Sequence, residues 1–171
     1  MKRRVITLIS VFCLIFVFFL EDATTSIPPK VGDIDIIQYG IFEVIEVRKT
    51  KAKGTAVGTI HLVKEPKLVK ETDKIPGTVG TNFGICYIVN GHPKGEKVVL
   101  LVKLLHPATK NPKTQELRVS DEWKSYKRIG YIHCSGWKFE YDWEIVPGQW
   151  IFQLFYEGTK LAEKTFTVYK P

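Results

Sequence analysis

The chain has 171 residues, of which 44% are hydrophobic and 12% aromatic, and its formal net charge is +7. This composition suits one globular domain that builds its core without the help of metals or many disulfides. The basic charge favours anionic partners such as lipid head groups or envelope polymers, although lysines at strand edges would also keep those edges soluble and unpaired. The basic residues are spread along the chain rather than massed in one tract, and we expect no nucleic-acid partner.

The amino terminus has the pattern of an export signal. A basic head at residues 2–4 precedes an apolar run at residues 5–20, which is typical of a secretory signal peptide. The run is short for a membrane span, which needs about 20 apolar residues. We therefore predict a signal peptide at residues 1–26 and a single periplasmic or secreted domain at residues 27–171. The alternative is inner-membrane anchoring by residues 5–20, which is also the one membrane contact we expect.

The domain consists of short apolar runs separated by glycine and proline turn signals. Glu65-Pro66 makes the second run an edge strand or two short pieces, and residues 90–95 and 106–113 are predicted loops. Residues 115–127 fit either an irregular strand or a short helical turn. Strands are predicted at residues 33–47, 59–70, 81–89, 97–105, 128–134, 137–145, 149–156 and 161–169.

The run from Trp137 to Ile145 alternates strictly between apolar and polar residues. Because successive side chains of a strand point to opposite faces, this pattern predicts a half-buried strand. Its polar face would carry Glu140, Asp142 and Glu144. Pro147-Gly148 and the turn at residues 157–159 would then join it to the last two strands as an antiparallel meander.

Seven to nine short strands in about 145 residues predict an all-β fold, an antiparallel immunoglobulin-like β-sandwich. A closed barrel is the alternative. The Cys…Trp…Cys spacing of antibody domains is missing, so the likeness is architectural. Outside the apolar leader, Cys86 and Cys134 form an even pair. In an oxidising compartment they could form a disulfide, and otherwise they would be two separate buried thiols.

No residue pattern predicts a catalytic centre, a metal site or a cofactor site. The three carboxylates at 140, 142 and 144 could hold calcium or supply an acid/base pair, but a straight strand spreads them apart, which favours a solvated face. The histidines lack metal-ligand spacing; they are His61, His92, His106 and His133.

One segment has the composition of a ligand patch, because aromatic side chains interleaved with basic ones stack on sugars or bases. Its residues are Trp123, Lys124, Tyr126, Lys127 and Arg128. The alternative is that Trp123 and Tyr126 cover an open end of the core.

Four segments carry a resemblance to a known family. They are IIQYGIFEV (36–44), IPGTVGTNFGICYIVNG (75–91), LHPATKNPKT (105–114) and WEIVPGQWIFQLFYEGTKLAEKTFTV (143–168). The chain resembles a family of short exported bacterial proteins that carries a domain of unknown function. The resemblance implies a periplasmic or secreted all-β domain from a Gram-negative bacterium and transfers no catalytic residue. The last segment is also similar to the final hairpin of bacterial immunoglobulin-like modules, which mostly bind or scaffold.

The sequence therefore favours an exported, non-enzymatic β-sandwich that binds an unknown protein or an anionic envelope polymer. A carbohydrate- or polyanion-binding module that uses the 123–128 segment is the second hypothesis. A hydrolase assembled from Glu140, Asp142 and a histidine is the third.

Overall fold

The structure, a computed structural model, describes residues 28–171. The predicted signal peptide lies outside the described residues. Within them the chain forms nine β-strands and one short 3₁₀ turn at Asp142–Glu144. The strands are β1 Lys30–Lys51, β2 Thr59–Glu71, β3 Lys74–Pro76, β4 Asn82–His92, β5 Lys97–Lys110, β6 Leu117–Arg128, β7 Ile132–Lys138, β8 Gly148–Tyr156 and β9 Thr159–Tyr169.

The strands form two sheets. One has four strands in the order β2-β1-β4-β7, and the other has five in the order β3-β9-β8-β5-β6. Every pairing is antiparallel except that of β3 with β9. The predicted antiparallel immunoglobulin-like sandwich is therefore confirmed.

The core lies between the two sheets, where alternate residues of the central strands face each other. Phe83 of β4 is buried at its centre, with its ring 5.4 Å from that of Phe166, 5.9 Å from that of Phe152 and 6.0 Å from that of Trp150. These three contacts are edge-on, the arrangement that the ring quadrupoles favour. The inward-facing aromatic residues of β8 and β9 thus supply much of the core.

The predicted strand at residues 137–145 is wrong beyond Lys138. The partner strand β4 begins at Asn82, directly opposite Lys138, so no strand lies beside the residues that follow. The chain turns instead into the 3₁₀ segment, where the Glu144 carboxylate accepts a hydrogen bond from the Glu140 N–H. Because β7 belongs to the four-stranded sheet, the predicted three-strand meander reduces to the β8–β9 hairpin.

The predicted loop at residues 106–113 is also largely wrong, because β5 continues to Lys110. Its pairing with β6 skips from Leu105 to Thr109, and its pairing with β8 ends at Leu105. Pro107 has no N–H to donate and lies in this gap, where a strand tolerates proline. The ambiguous residues 115–127 mostly belong to strand β6.

Three further details of the strands differ from the predictions or decide between them. The strand β4 continues through the predicted turn at Asn90-Gly91 as far as His92. The predicted strand at residues 128–134 begins only at Ile132. In β2, Glu65 has a φ of 49° and forms a bulge before Pro66, so the predicted edge strand is one continuous piece.

Candidate functional site

The first two strands form a hairpin that projects beyond the sandwich. β1 pairs with β4 only as far as Ile41, and from Phe42 to Lys51 it pairs with β2 alone. We call residues 42–68 the arm. A two-stranded ribbon is marginally stable by itself, so its position depends on what holds it.

The tip of the arm, residues 52–58, is fastened to β6. The Glu122 N–H donates to the Gly54 carbonyl at 2.9 Å, and the Asp121 carboxylate accepts the Ala56 N–H at 2.5 Å. Asn111 Nδ2 donates to the Ala56 carbonyl at 2.9 Å. A Cβ at Gly54 would collide with the Glu122 carbonyl oxygen, so glycine permits this close approach. The arm therefore bridges from one sheet to the other.

A cavity of about 560 Å³ lies beneath this bridge, between the arm and the strands β4, β6 and β7. Small-molecule sites in proteins occupy roughly 300–1,000 Å³ and are mostly apolar. We call this cavity the arm cleft. Its apolar walls are formed by Phe42, Val44, Ile60 and Leu62 of the arm, Trp123 of β6 and Trp137 of β7.

Two glycines line the cleft where the adjacent strand leaves no room for a Cβ. Gly84 of β4 pairs directly with Gly136 of β7. A Cβ at Gly84 would collide with the Ser135 carbonyl, and one at Gly136 would come within 2.9 Å of the Phe83 carbonyl oxygen. The missing side chains leave bare backbone along this part of the cleft.

An ion-pair cluster joins the arm to the segment after β7. The Lys49 ammonium lies 2.9 Å from the Glu140 carboxylate. The ring nitrogens of His61 lie 2.6 Å from Glu140 and 2.7 Å from Glu46, although neither contact has hydrogen-bond geometry. Burial acts to raise the pKa of Glu140, but the hydrogen bond from Lys49 and the charges of His61 and Lys49 outweigh it and lower the pKa. The cluster therefore holds Glu140 as a carboxylate.

A second polar cluster is buried behind the arm tip. His106 Nε2 lies 3.2 Å from the Asp121 carboxylate, and both side chains are almost fully buried. The imidazole also stacks on the indole of Trp150, with 4.9 Å between ring centroids. Asp121 thus contacts His106 with one oxygen and the arm with the other.

Lys127 is a half-buried cation that lines the cleft. Its ammonium donates to the Cys134 carbonyl at 3.3 Å and lies 5.7 Å from the centroid of the Tyr87 ring. Burial lowers the pKa of Lys127 to about 8. Within residues 28–171, it has no ion pair with a carboxylate.

Residues 30–168 match the family model of a domain of unknown function, DUF3859. The chain belongs to this family. The resemblance stated from the sequence, to a family with an uncharacterised all-β domain, is confirmed. The DUF3859 chain matches no curated protein.

The DUF3859 fold is similar to that of an immunoglobulin-like protein from Pseudomonas aeruginosa, known from a crystal structure. The TM-score is 0.55 at 22% sequence identity, and the similarity covers 85% of this chain and 99% of the other. At this identity the likeness shows the fold alone. No helix within residues 28–171 has the length and apolar character to cross a membrane.

The DUF3859 structure divides the predicted ligand patch between the two faces of β6. Trp123 and Lys127 are half-buried, and Trp123 packs on Trp137 with ring centroids 6.3 Å apart. Lys124, Tyr126 and Arg128 are exposed. All five except Arg128 line the arm cleft. The patch thus contributes one wall of a site whose other walls lie far away in the sequence.

The predicted solvated face of carboxylates is wrong for Glu144. Asp142 is exposed, but Glu144 is 1% exposed and lies in the 3₁₀ turn. One of its oxygens accepts the Glu140 N–H at 2.7 Å, and the other has no partner within the described chain. Since these residues are not in a strand, the parity of the sequence does not determine which side chains are exposed.

The two cysteines form a disulfide between β4 and β7, where Cys86 and Cys134 are directly paired with their Cα atoms 4.0 Å apart. Within residues 28–171, no cluster of histidine, cysteine or acidic side chains has a metal-binding arrangement. Sequence reasoning missed the contacts of His61 with Glu46 and Glu140, and no spacing signal could have found them, because the shifted register of β1 against β2 and the position of the segment after β7 bring these residues together.

Proposed function

We propose that this DUF3859 chain is a non-enzymatic, exported binding module of the bacterial cell envelope, and that its ligand occupies the arm cleft. The observation that carries the proposal is the cleft itself, an apolar cavity of about 560 Å³ that the fold keeps open. The arm that covers the cleft is held at two places. Its tip is bonded to β6, and its side contacts Glu140. A cavity held in this way needs little reorganisation to receive a ligand.

Binding fits the cleft better than catalysis. Among the described residues that line it, Glu140 is the one carboxylate. A general acid or base works best with a pKa near the operating pH, whereas Lys49 and His61 lower the pKa of Glu140. Glu140 is therefore suited to fastening the arm rather than to moving protons.

Two observations support export. Residues 1–26 combine a basic head with an apolar run, the pattern of a signal peptide. The disulfide between Cys86 and Cys134 suits an oxidising compartment such as the bacterial periplasm. The basic surface suits an anionic envelope component.

Binding of a neutral solvatochromic dye, Nile red, tests the cleft without assuming a charged ligand. We expect the Val44→Trp variant, which fills the cleft with an indole, to bind the dye at least about tenfold more weakly than the wild type, a loss of about 1.4 kcal/mol. The control is Val119→Trp, the same change at an exposed site on β6 outside the cleft. Equal dye binding by all three proteins would place the site elsewhere and overturn the proposal.

The exposed side of β6 supports a second candidate, a carbohydrate or polyanion site. Lys124, Tyr126 and Arg128 occupy alternate positions there, and Tyr126 is 76% exposed. An exposed ring beside two cations can stack on a sugar while the cations contact anionic groups. Lys124 and Tyr126 also line the arm cleft, whereas Arg128 does not, so Val44→Trp would leave at least the Arg128 contact of such a site intact.

A further inference from the structure

We infer that the arm cleft binds a single-chain amphiphile with one carboxylate head group, and that Lys127 is the residue that receives the head. This inference rests on the proposed function and specifies the ligand. It follows from the apolar walls of the cleft, from one half-buried cation without a counter-ion, and from the balance of charges around the opening.

The walls match an apolar chain. Most of the side chains that the arm contributes are apolar, and the indoles of Trp123 and Trp137 line the cleft from β6 and β7. Transfer of each methylene from water to such a surface is favourable. A flexible alkyl chain can follow an irregular cavity of this volume.

Lys127 supplies the head-group site. An ammonium has three N–H donors, and the contacts of this one are the Cys134 carbonyl at 3.3 Å and the face of the Tyr87 ring. Both partners carry only partial negative charge. The Tyr87 hydroxyl is engaged with Ser135 at 3.1 Å and adds no counter-charge. Since a cation that is partly removed from water is costly unless it is paired, an incoming carboxylate would complete this site.

The remaining polar groups of the cleft also favour an acceptor-rich, negatively charged ligand. The buried Nε1–H of Trp137 has no acceptor within the described part of the chain. Arg48, Lys124 and Lys138 line the cleft as further cations. The opposing charge, Glu140, is already paired with Lys49. A cationic or donor-only head group would therefore be repelled, whereas one carboxylate matches the one unpaired cleft ammonium that is not exposed.

The test is calorimetric titration of the protein with dodecanoate and with dodecanol, two probes that share a chain and differ in charge. We expect the wild type to bind dodecanoate at least about tenfold more tightly than dodecanol, a preference of about 1.4 kcal/mol. Lys127→Met keeps a similar apolar stem without the charge, so it should lose this preference while its affinity for dodecanol is unchanged. Because the pKa of Lys127 is about 8, the affinity for dodecanoate should also fall as the pH rises above about 8.

Two controls keep the result interpretable. Lys94→Met removes one positive charge from a lysine that lies over the ring of Tyr131, outside the cleft, and should retain the full preference. Lys127→Arg keeps the charge and should also retain it, and it remains informative if Lys127→Met fails to fold.

The outcomes separate the two proposals. If dodecanoate and dodecanol bind equally, or if Lys127→Met keeps the preference, the head-group assignment is wrong while the cleft remains a binding site. If Nile red binds in the cleft and neither probe does, the amphiphile is the wrong class of ligand. If neither the dye nor the probes bind, both the inference and the proposed function fail.

Discussion

Glu144 is the residue whose burial gives the fold its clearest dependence on pH. Burial raises the pKa of Glu144 from its ordinary value of 4.5 to about 7, and the nearby charges of Glu140 and Asp121 act in the same direction, against the two backbone N–H groups that bond it. In the unfolded chain the carboxyl loses its proton near pH 4.5. Between these two values the unfolded state binds fewer protons than the folded state, so stability decreases as the pH rises.

We therefore expect Glu144→Gln to gain stability relative to the wild type as the pH rises from 4.5 to 8. The glutamine carbonyl can still accept the Glu140 N–H but cannot ionise. One pKa unit corresponds to about 1.36 kcal/mol, which puts the full difference at about 3 kcal/mol at most. Urea unfolding of both proteins at several pH values measures it.

The control is Asp142→Asn, which neutralises an exposed carboxylate of the same 3₁₀ turn. Its stability relative to the wild type should change little over this pH range. A constant difference between Glu144→Gln and the wild type at all pH values would show that Glu144 ionises in the folded state as easily as in the unfolded state.

At the residue scale the sequence predicts core positions well and polar contacts poorly. Phe83 and Trp150 follow the alternation of genuine strands, so their burial could be read from their parity. Glu144 follows the same alternation, but the chain has left the sheet before it, and its burial depends on a local turn. The neighbours of Lys127 and His61 come from segments distant in sequence.

The arm is the element on which the candidate site depends. Its tip approaches β6 so closely at Gly54 that a Cβ would meet the Glu122 carbonyl, while Gly54 does not have a positive φ. Alanine at this position is therefore compatible with the backbone conformation. The substitution should disturb only the packing of the arm tip against the Glu122 carbonyl.

We expect Gly54→Ala to release the arm tip from β6. The Glu122 amide, which donates to Gly54, and the Ala56 amide should exchange with deuterium at least about tenfold faster, which corresponds to about 1.4 kcal/mol of lost protection. Amides in β8 and β9 should be unaffected. Hydrogen-exchange mass spectrometry or NMR measures these rates.

Gly32→Ala on β1 is the matched control. Its Cβ would meet nothing nearer than the Asn90 carbonyl oxygen at 3.9 Å, so it should exchange like the wild type throughout. Unchanged protection of Glu122 in Gly54→Ala would mean that the arm is positioned by the Glu140 cluster rather than by its tip.

At the element scale the sequence predicts most strands but not where they pair. Strong β-formers predict a strand that ends at Leu105. Only the pairing register shows that β5 continues through Pro107 and leaves that residue unpaired. The end of β7 at Lys138 is likewise fixed by where its partner begins. Pairing is a property of two segments, and a single run of residues does not contain it.

At the scale of the whole molecule, the disulfide constrains both sheets. Cys86 and Cys134 are 48 residues apart, and the closed loop contains β5 and β6, which belong to the opposite sheet. Closing a loop of this length lowers the entropy of the unfolded chain and stabilises the fold by about 4 kcal/mol in the loop-closure model.

The double variant Cys86→Ala/Cys134→Ala should therefore be less stable than the oxidised wild type by about 3–5 kcal/mol, including a small loss of buried contacts. Urea unfolding measures this difference. Wild type reduced with a thiol reagent is the companion sample, because it loses the bridge but keeps both sulfur atoms. A loss below about 1 kcal/mol in both samples would contradict a constraining role.

The sandwich as a whole could be predicted, because alternation, turn residues and the absence of long amphipathic segments all agree with two packed sheets. The arm cleft could not, since it depends on the contact of the arm tip with β6 and on Gly84 and Gly136 meeting across two strands. The mixture of aromatic and basic residues at 123–128 can be read from the sequence. Only the structure shows that one side of this segment forms a wall of the arm cleft.

The position of β9 has a consequence for biosynthesis. This strand is the last of the described strands to be synthesised, and it lies between β8 and β3 in the sheet. Its partner β3 comes from a segment made about ninety residues earlier. β3 has only three residues and pairs with no strand but β9 within the described sheets, so it has no place in the fold until β9 has been made. The five-stranded sheet therefore closes only after residues 159–169 have left the ribosome, and until then the nascent chain stays incompletely folded, the state in which a polypeptide can be threaded through a narrow channel.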